Sequence, residues 1–430
     1  MRIAIKTYGC TLNQADSSII KSVLESAGNE VHEINDLDKH EYEGESVLIV
    51  NTCAVKKPTQ QKILYELQKL ESQHMKVIAT GCLASASPEL IGRYAPNASI
   101  VTISNIDLIG EAAKRASEGR KVVFDSYRKL DRLALFSPKR SVVAKIPLGD
   151  GCMGNCSFCE TKFARGPLNS FSEEQIIKAI ELSVRGGAKE VELTAQDTGA
   201  YGADRKTSII GLLKKVSMIS GDFKVRLGMM NPQFLGAYSE GLAEILNDGR
   251  FYRFLHVPVQ SGSDRILKSM RRPYTIEEAV EHIDGLRKSV NGITIETDII
   301  VGFPGESDED FEMTMEFMKS ARPDITNISK FGAMPHADAS RMPQLGASVI
   351  SMRSVELSRL ARRVQTETNN KFIGSKVNIL ITEANEKSFK GRMYNYRQVV
   401  LGRDENVGMG MNYEVEIERA SSNALYGRLV

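Results

Sequence analysis

Six cysteines in 430 residues fall into two triplets, and each triplet restricts the fold in its own way. Cys152, Cys156 and Cys159 share one short stretch, GCMGNCSFCE, in a C-x₃-C-x₂-C spacing. Thiols this close along the chain belong to one loop, and such loops wrap iron–sulfur cubanes. Three thiolates leave one iron of a four-iron cubane without a protein ligand. A structural zinc site normally completes four ligands, and no histidine lies near this loop. Cys10, Cys53 and Cys82 are far apart in sequence, yet each stands just past a β-like run: RIAIK-TYGC, LIV-NTC and KVIAT-GC. The carboxyl ends of parallel strands share one rim, where ligands collect. Three cysteines at equivalent junctions therefore predict one shared site, whereas a single one would read as a small buried hydrophobe.

Strand-like runs alternate with helical periodicity through residues 1–127. RIAIK, SVLIV, KVIAT, SIVTI and KVVF are separated by segments such as SSIIKSVLESAG and QQKILYELQKLESQ. Repeated βα units predict a parallel, flavodoxin-like α/β domain. Residues 128–143, RKLDRLALFSPKRSVV, lack a period and read as a basic connector carrying Arg128, Lys129, Arg132, Lys139 and Arg140. A second βα series fills 144–370 with six runs: AKIPLGDGC, EVELTAQD, KVRLGMM, RFLHVPVQ, ITIETDIIVGF and ITNISKFGAM. These repeats predict an open (β/α)6 partial barrel, with the cysteine-rich loop directly after its first strand. The last stretch, 371–430, holds the short β-like runs VNILITEA, RQVVL and YEVEIERA between glycine- and asparagine-containing turns. It predicts a small antiparallel β-barrel, OB-like in kind.

Net charge is only +2, so an anionic partner needs local patches rather than a global field. KSFKGRMYNYRQ is such a patch, with Lys387, Lys390, Arg392 and Arg397 interleaved with Phe389, Tyr394 and Tyr396. Cations neutralise phosphates and rings stack unpaired bases, which suits an exposed RNA loop. The plain alternative is a strand with a solvated basic face. No apolar run approaches the roughly 20 residues that span a bilayer. The N-terminus, MRIAIKTYGC, enters a strand-like pattern at once, which argues against a cleaved targeting peptide. Grouped cysteines suit a reducing compartment, so the expectation is a cytoplasmic protein with no membrane partner.

TYGCTLNQADS, VNTCAV, ATGCL, GCMGNCSFCETKFARG, QDTGAYG, MMNP, HVPVQSGSD and TDIIVGFPGE follow one another along the chain. In these blocks it resembles the radical S-adenosylmethionine (SAM) methylthiotransferases over essentially its whole length. The resemblance implies an N-terminal three-cysteine domain, a radical SAM partial barrel and a C-terminal TRAM domain. It also implies two [4Fe–4S] clusters. Cys152, Cys156 and Cys159 would hold the one whose open iron binds and cleaves SAM. Cys10, Cys53 and Cys82 would hold an auxiliary one that carries the sulfur to be methylated and delivered. Gln196, Asp197, Gln260, Ser261, Gly302 and Phe303 match strand-end blocks expected to face SAM. Asp298 is either another such residue or a buried strand-end carboxylate. His256 is expected to be a packed or hydrogen-bonded strand residue, and His336 is left outside the site. The implied partners are a tRNA anticodon stem-loop, an electron donor such as flavodoxin or ferredoxin, and a sulfur donor. YGCTLNQADS, ARG, MMNP and DTGAYG resemble the archaeal and eukaryotic branch, which acts on N6-threonylcarbamoyladenosine beside the anticodon. The family's other substrates are N6-isopentenyladenosine in tRNA and a ribosomal-protein aspartate.

Overall fold

The computed structural model describes residues 1–37, 41–138, 140–403 and 405–430, so Lys139 of the connector lies outside the described residues. The first sheet is built from β1 (Arg2–Thr7), β2 (Glu30–Ile34), β3 (Val47–Thr52), β4 (Val77–Thr80), β5 (Ser99–Val101) and β6 (Val123–Phe124). Its order is β2-β1-β3-β4-β5-β6, and every pair is parallel. This is the doubly wound order of flavodoxin-like folds, extended by one strand. Alternation along the strands sorts residues between two covered faces. Ala4, Leu48 and Val50 pack on one side, and Ile3, Ile5 and Ile49 on the other. The strand that sequence reading did not locate, β2, lies at the sheet edge with only Val31 and Ile34 buried.

The second unit begins with β7 (Val143–Pro147), which leads into a short antiparallel pair, β8 (Gly149–Asp150) and β9 (Asn169–Ser170). That pair closes the base of the loop holding Cys152, Cys156 and Cys159. The remaining strands are β10 (Glu190–Thr194), β11 (Lys224–Leu227), β12 (Phe254–His256), β13 (Thr294–Val301) and β14 (Ile325–Lys330). All run parallel, but in two halves, β7-β10-β11 and β12-β13-β14. Between the halves the chain ahead of β12 takes over the pairing: Val225 N donates to Arg250 O, and Tyr252 N donates to Val225 O. The expected six-repeat open barrel is therefore present with a seam in its wall. Ala144, Ile146, Val191, Leu193, Val225, Leu227, Leu255 and Ile295 pack outward against the helices. Alternation turns Lys145, Glu192, Arg226, His256, Glu296 and Asp298 to the concave side. Five of its helices start on Ser or Thr caps, with full capping boxes at Thr275/Glu278 and Ser307/Asp310.

A helix spanning Ala347–Asn370 leads into the last unit. There β15 (Lys376–Ala384), β16 (Ser388–Arg392), β17 (Gln398–Gly402), β18 (Asn412–Ala420) and β19 (Leu425–Leu429) close a barrel in the order β15-β16-β17-β19-β18. The expected antiparallel barrel needs one correction, because β17 and β19 pair in parallel. Ile379, Ile381, Met393, Val399, Leu401, Val415, Ile417 and Leu425 fill its core, together with Phe389. No helix among the described residues is long and apolar enough to cross a membrane.

Candidate cluster sites and the seam between them

Gly151 sets the entry to the C-x₃-C-x₂-C loop. Its φ is +72°, and a Cβ there would lie 2.0 Å from the backbone oxygen of Pro167, so glycine alone fits. Each thiol that follows accepts one hydrogen bond: Gly154 N donates to Cys152 Sγ (3.2 Å), Arg272 Nη1 to Cys156 Sγ (3.4 Å), and Thr161 N to Cys159 Sγ (3.4 Å). Donors aimed at sulfur suit ligating thiolates and tune the cluster they hold. Burial pushes the Cys152 thiol up to about 11 and raises Cys159 as well. Such thiols stay protonated until a metal centre takes the proton's place. Three sulfurs, each with a donor aimed at it, fit a cubane with one open iron.

The other triplet lies where the first sheet ends. Cys10 is the N-cap of the helix Thr11–Ser26 and is exposed. Cys53 and Cys82 are buried, and Cys82 lies within electrostatic reach of both Cys53 and Cys10. Gly81 precedes Cys82 with φ +86°, and a Cβ there would approach Asn51 Oδ1 to 2.2 Å. Val55 N donates to Cys53 Sγ (3.4 Å), and Arg165 Nε donates to Cys82 Sγ (3.3 Å). Burial drives the Cys82 thiol to about 12. Among the described residues no three such groups meet around a single-ion site. A cubane does not require that, because its thiolates bind different irons.

Arg165 joins the two triplets. It ends the short helix Thr161–Arg165 that follows Cys159, and it reaches across to the first unit. Besides Cys82, it donates to Asn13 Oδ1 (3.0 Å), Asp150 Oδ1 (3.2 Å) and Asp16. Arg132, expected in a solvated basic connector, is fully buried and forks onto Asp150 at 2.8 and 2.5 Å while pairing with Asp16. Two arginines and two aspartates thus form a neutral, hydrogen-bonded quartet at the seam, the form in which buried charge is tolerated. Burial opposes the ionised Asp16, but the two guanidinium groups hold its carboxyl below the usual range. Arg128 pairs with Asp107 of the first unit. Neither Arg128 nor Arg132 is a free cation.

The residues expected to face SAM separate into two groups. Gln196 Oε1 is buried and accepts no hydrogen bond from any described residue, which suits a ligand donor. Gln260 holds a left-handed backbone (φ +75°) four residues past β12, where its N–H donates to Asp298 O (2.8 Å) of β13. Gly302 donates its N–H to Glu306 Oε2 (2.9 Å) at the end of β13. Asp197 lies within electrostatic reach of Cys152, but its oxygens already accept from Asn231 Nδ2 (2.5 Å) and Gly199 N (3.1 Å). Ser261 is buried, and its Oγ accepts from Ser263 N (3.2 Å), which makes it a turn-forming residue. Phe303 is wholly buried, with Phe158 of the cysteine loop packed against its cluster. Its role is packing beneath the loop. Asp298 takes the strand-end reading, with Oδ2 3.1 Å from His256 Nε2 and Oδ1 accepting from Asn327 (2.9 Å). His336 stands at the seam, its Nε2 3.0 Å from Ser87 Oγ and 4.0 Å from Glu160 Oε1.

The basic and aromatic stretch of the C-terminal barrel is largely turned inward. Phe389 belongs to the barrel core, and Arg397 is buried against Asp324 and Asn369, so neither is available to RNA. Tyr396 adopts φ +65° and enters the second unit, with its ring centroid 4.9 Å from those of Tyr252 and Phe254. Its hydroxyl donates to Glu192 Oε1 (2.6 Å). Lys390 and Arg392 both pair with Glu383. Lys387 and Tyr394 remain exposed. Sequence reading missed Arg165, Arg272 and the quartet, since a lone arginine has no spacing signal.

A three-cysteine loop directly after the first strand of an open parallel barrel defines the class: this is a radical SAM fold. Residues 146–318 match the Radical SAM superfamily, and residues 2–102 match an uncharacterized protein family, UPF0004. Over 100% of its length the chain is 39% identical to the probable threonylcarbamoyladenosine tRNA methylthiotransferase of Archaeoglobus fulgidus, covering 99% of that protein. It is 38% identical to the one from Pyrococcus abyssi, with 100% of both chains covered. The Homo sapiens threonylcarbamoyladenosine tRNA methylthiotransferase is 32% identical, with 100% of this chain and 74% of that protein covered. Among solved structures, the radical SAM methyltransferase TsrM from Kitasatospora setae superposes at TM-score 0.61 and 15% identity, over 79% of this chain and 73% of that one. That last likeness is one of fold. The chain belongs to the threonylcarbamoyladenosine tRNA methylthiotransferase family of radical SAM enzymes.

Proposed function

We propose that this chain converts N6-threonylcarbamoyladenosine next to the tRNA anticodon to its 2-methylthio derivative. Cys152, Cys156 and Cys159 would hold a SAM-binding [4Fe–4S] cluster, and Cys10, Cys53 and Cys82 a sulfur-carrying auxiliary one. When bound, the first cluster would supply the electron that cleaves SAM to the radical removing hydrogen from the base, and the second would supply the sulfur, methylated by another SAM, that replaces it. The observation that carries the reading is the seam. Arg165 stands six residues beyond Cys159 in sequence and donates to Cys82, so one side chain fixes the spacing of both triplets. Gln196, Gln260 and the backbone at Gly302 would receive SAM. Lys387 and Tyr394 are the outward groups left for the anticodon stem-loop. An electron donor such as flavodoxin or ferredoxin and a sulfur donor complete the reaction, which we place in the cytoplasm.

The test is anaerobic. Reconstituted protein, SAM, a reductant and sulfide are incubated with tRNA bearing threonylcarbamoyladenosine, and in parallel with isopentenyladenosine tRNA. Nucleosides are then analysed by mass spectrometry. A methylthio adduct on the threonylcarbamoyl nucleoside alone is expected. An adduct on the isopentenyl nucleoside overturns the substrate, and deoxyadenosine release with neither adduct points to the ribosomal-protein aspartate.

A further inference from the structure

We propose that Arg226, on the concave side of the second unit, receives the free carboxylate of the substrate's threonyl group. The inference rests on the threonylcarbamoyl reading above and deepens it. Strand register puts Lys145, Glu192 and Arg226 in one row across β7, β10 and β11. Their neighbours along each strand pack outward into the helical core, so this row lines the lumen.

The charges in this lumen are unevenly matched. Glu192 accepts from the Tyr396 hydroxyl (2.6 Å), and Glu296 accepts from Asn327 Nδ2 (2.7 Å). Asp298 is met by Asn327 at 2.9 Å and by His256 at 3.1 Å. Each acid is therefore already partnered. Arg226 is not. Its guanidinium carbon lies 5.2 Å from the centre of the Phe254 ring and 5.6 Å from that of Tyr396. It makes no hydrogen bond or ion pair with any described residue, and its Nε is buried without an acceptor. The other enclosed arginines behave differently: Arg132, Arg165, Arg353 and Arg397 each meet a carboxylate, and Arg272 meets a sulfur and a carbonyl.

Rings hold a guanidinium in plane but cannot satisfy its five donors. A preoriented, partly dehydrated fork without an anion is matched in geometry by a carboxylate. The threonylcarbamoyl group carries such a carboxylate at neutral pH, whereas an isopentenyl group carries no charge. Tyr396 comes from the C-terminal barrel, so that barrel contributes a wall of the specificity site as well as any outer RNA surface.

The experiment uses anticodon stem-loops carrying threonylcarbamoyladenosine as the free acid or as its methyl ester. Their affinities for the reconstituted holoprotein are compared by fluorescence anisotropy without SAM. Wild type is expected to favour the acid by roughly tenfold to a hundredfold, the range of a charged hydrogen-bonded pair. Arg226→Met should abolish that preference while leaving ester affinity and cluster spectra as in wild type. Arg226→Gln decides the matter should the methionine variant lose its clusters. Persistence of the acid preference in a cluster-loaded variant overturns the assignment. So does a wild type that methylthiolates the acid stem-loop yet binds acid and ester equally. A wild type that modifies only isopentenyladenosine removes the underlying substrate reading instead.

Discussion

Two arginines each donate to one cysteine sulfur, Arg272 to Cys156 and Arg165 to Cys82. A cationic donor favours the more negative, reduced state of a cluster, so removing it lowers the reduction potential. Arg272→Met is expected to lower the potential of the SAM-binding cluster alone, and Arg165→Met that of the auxiliary cluster alone, both read by redox titration with electron paramagnetic resonance. Arg165→Met should also keep deoxyadenosine formation while methylthiolation falls. Equal loss of both activities, with unchanged potentials, would reduce Arg165 to a structural residue. Breaking the buried quartet adds about 3–5 kcal/mol of destabilisation. At this scale the sequence disclosed the cysteines, whose spacing and strand-end positions are one-dimensional signals. It could not disclose their arginine partners, because Arg165 meets Asp16 and Cys82 only after two units have docked.

Element by element, legibility followed burial. Interior strands such as β3 are buried throughout and read as unbroken apolar runs. The edge strand β2 and the short strand β19 carry little such pattern and went unseen, and β16 was read only as the alternative to an RNA-facing patch. The entry to the cysteine loop accepts only glycine at position 151. Gly151→Ala would force a methyl group against the Pro167 carbonyl and strain a left-handed backbone, at a cost of about 1–2 kcal/mol from conformation alone. The expected result is loss of the SAM-binding cluster, with the auxiliary cluster retained, measured as iron content and electron paramagnetic resonance signal per protein. A Gly151→Ala protein that carries both clusters would mean the loop tolerates the shift.

At the scale of the whole molecule, the order of the three units was readable and their docking was not. KSFKGRMYNYRQ illustrates why: a cation beside a ring looks the same in sequence whether it faces RNA or a neighbouring domain. Here much of it faces the neighbour, and the seam it forms contains Glu190. Tyr252 donates to Glu190 Oε2 at 2.7 Å, and the Tyr396 hydroxyl oxygen lies 3.4 Å from Glu190 Oε1. Burial raises its pKa to about 7 from 4.5, and the nearby Glu192 adds to the shift. The folded protein thus keeps a proton that the unfolded chain releases near pH 4.5. This group's stabilising contribution is complete below that pH, declines between about 4.5 and 7, and is gone above. Glu190→Gln, neutral at every pH, should match wild type at pH 4.5 and melt at higher temperature above pH 7, by about 1–3 kcal/mol of stability. Melting curves of both proteins across that range decide it. A constant gap between them would mean that Glu190 is ionised at the seam, with Arg392 rather than a proton balancing its charge.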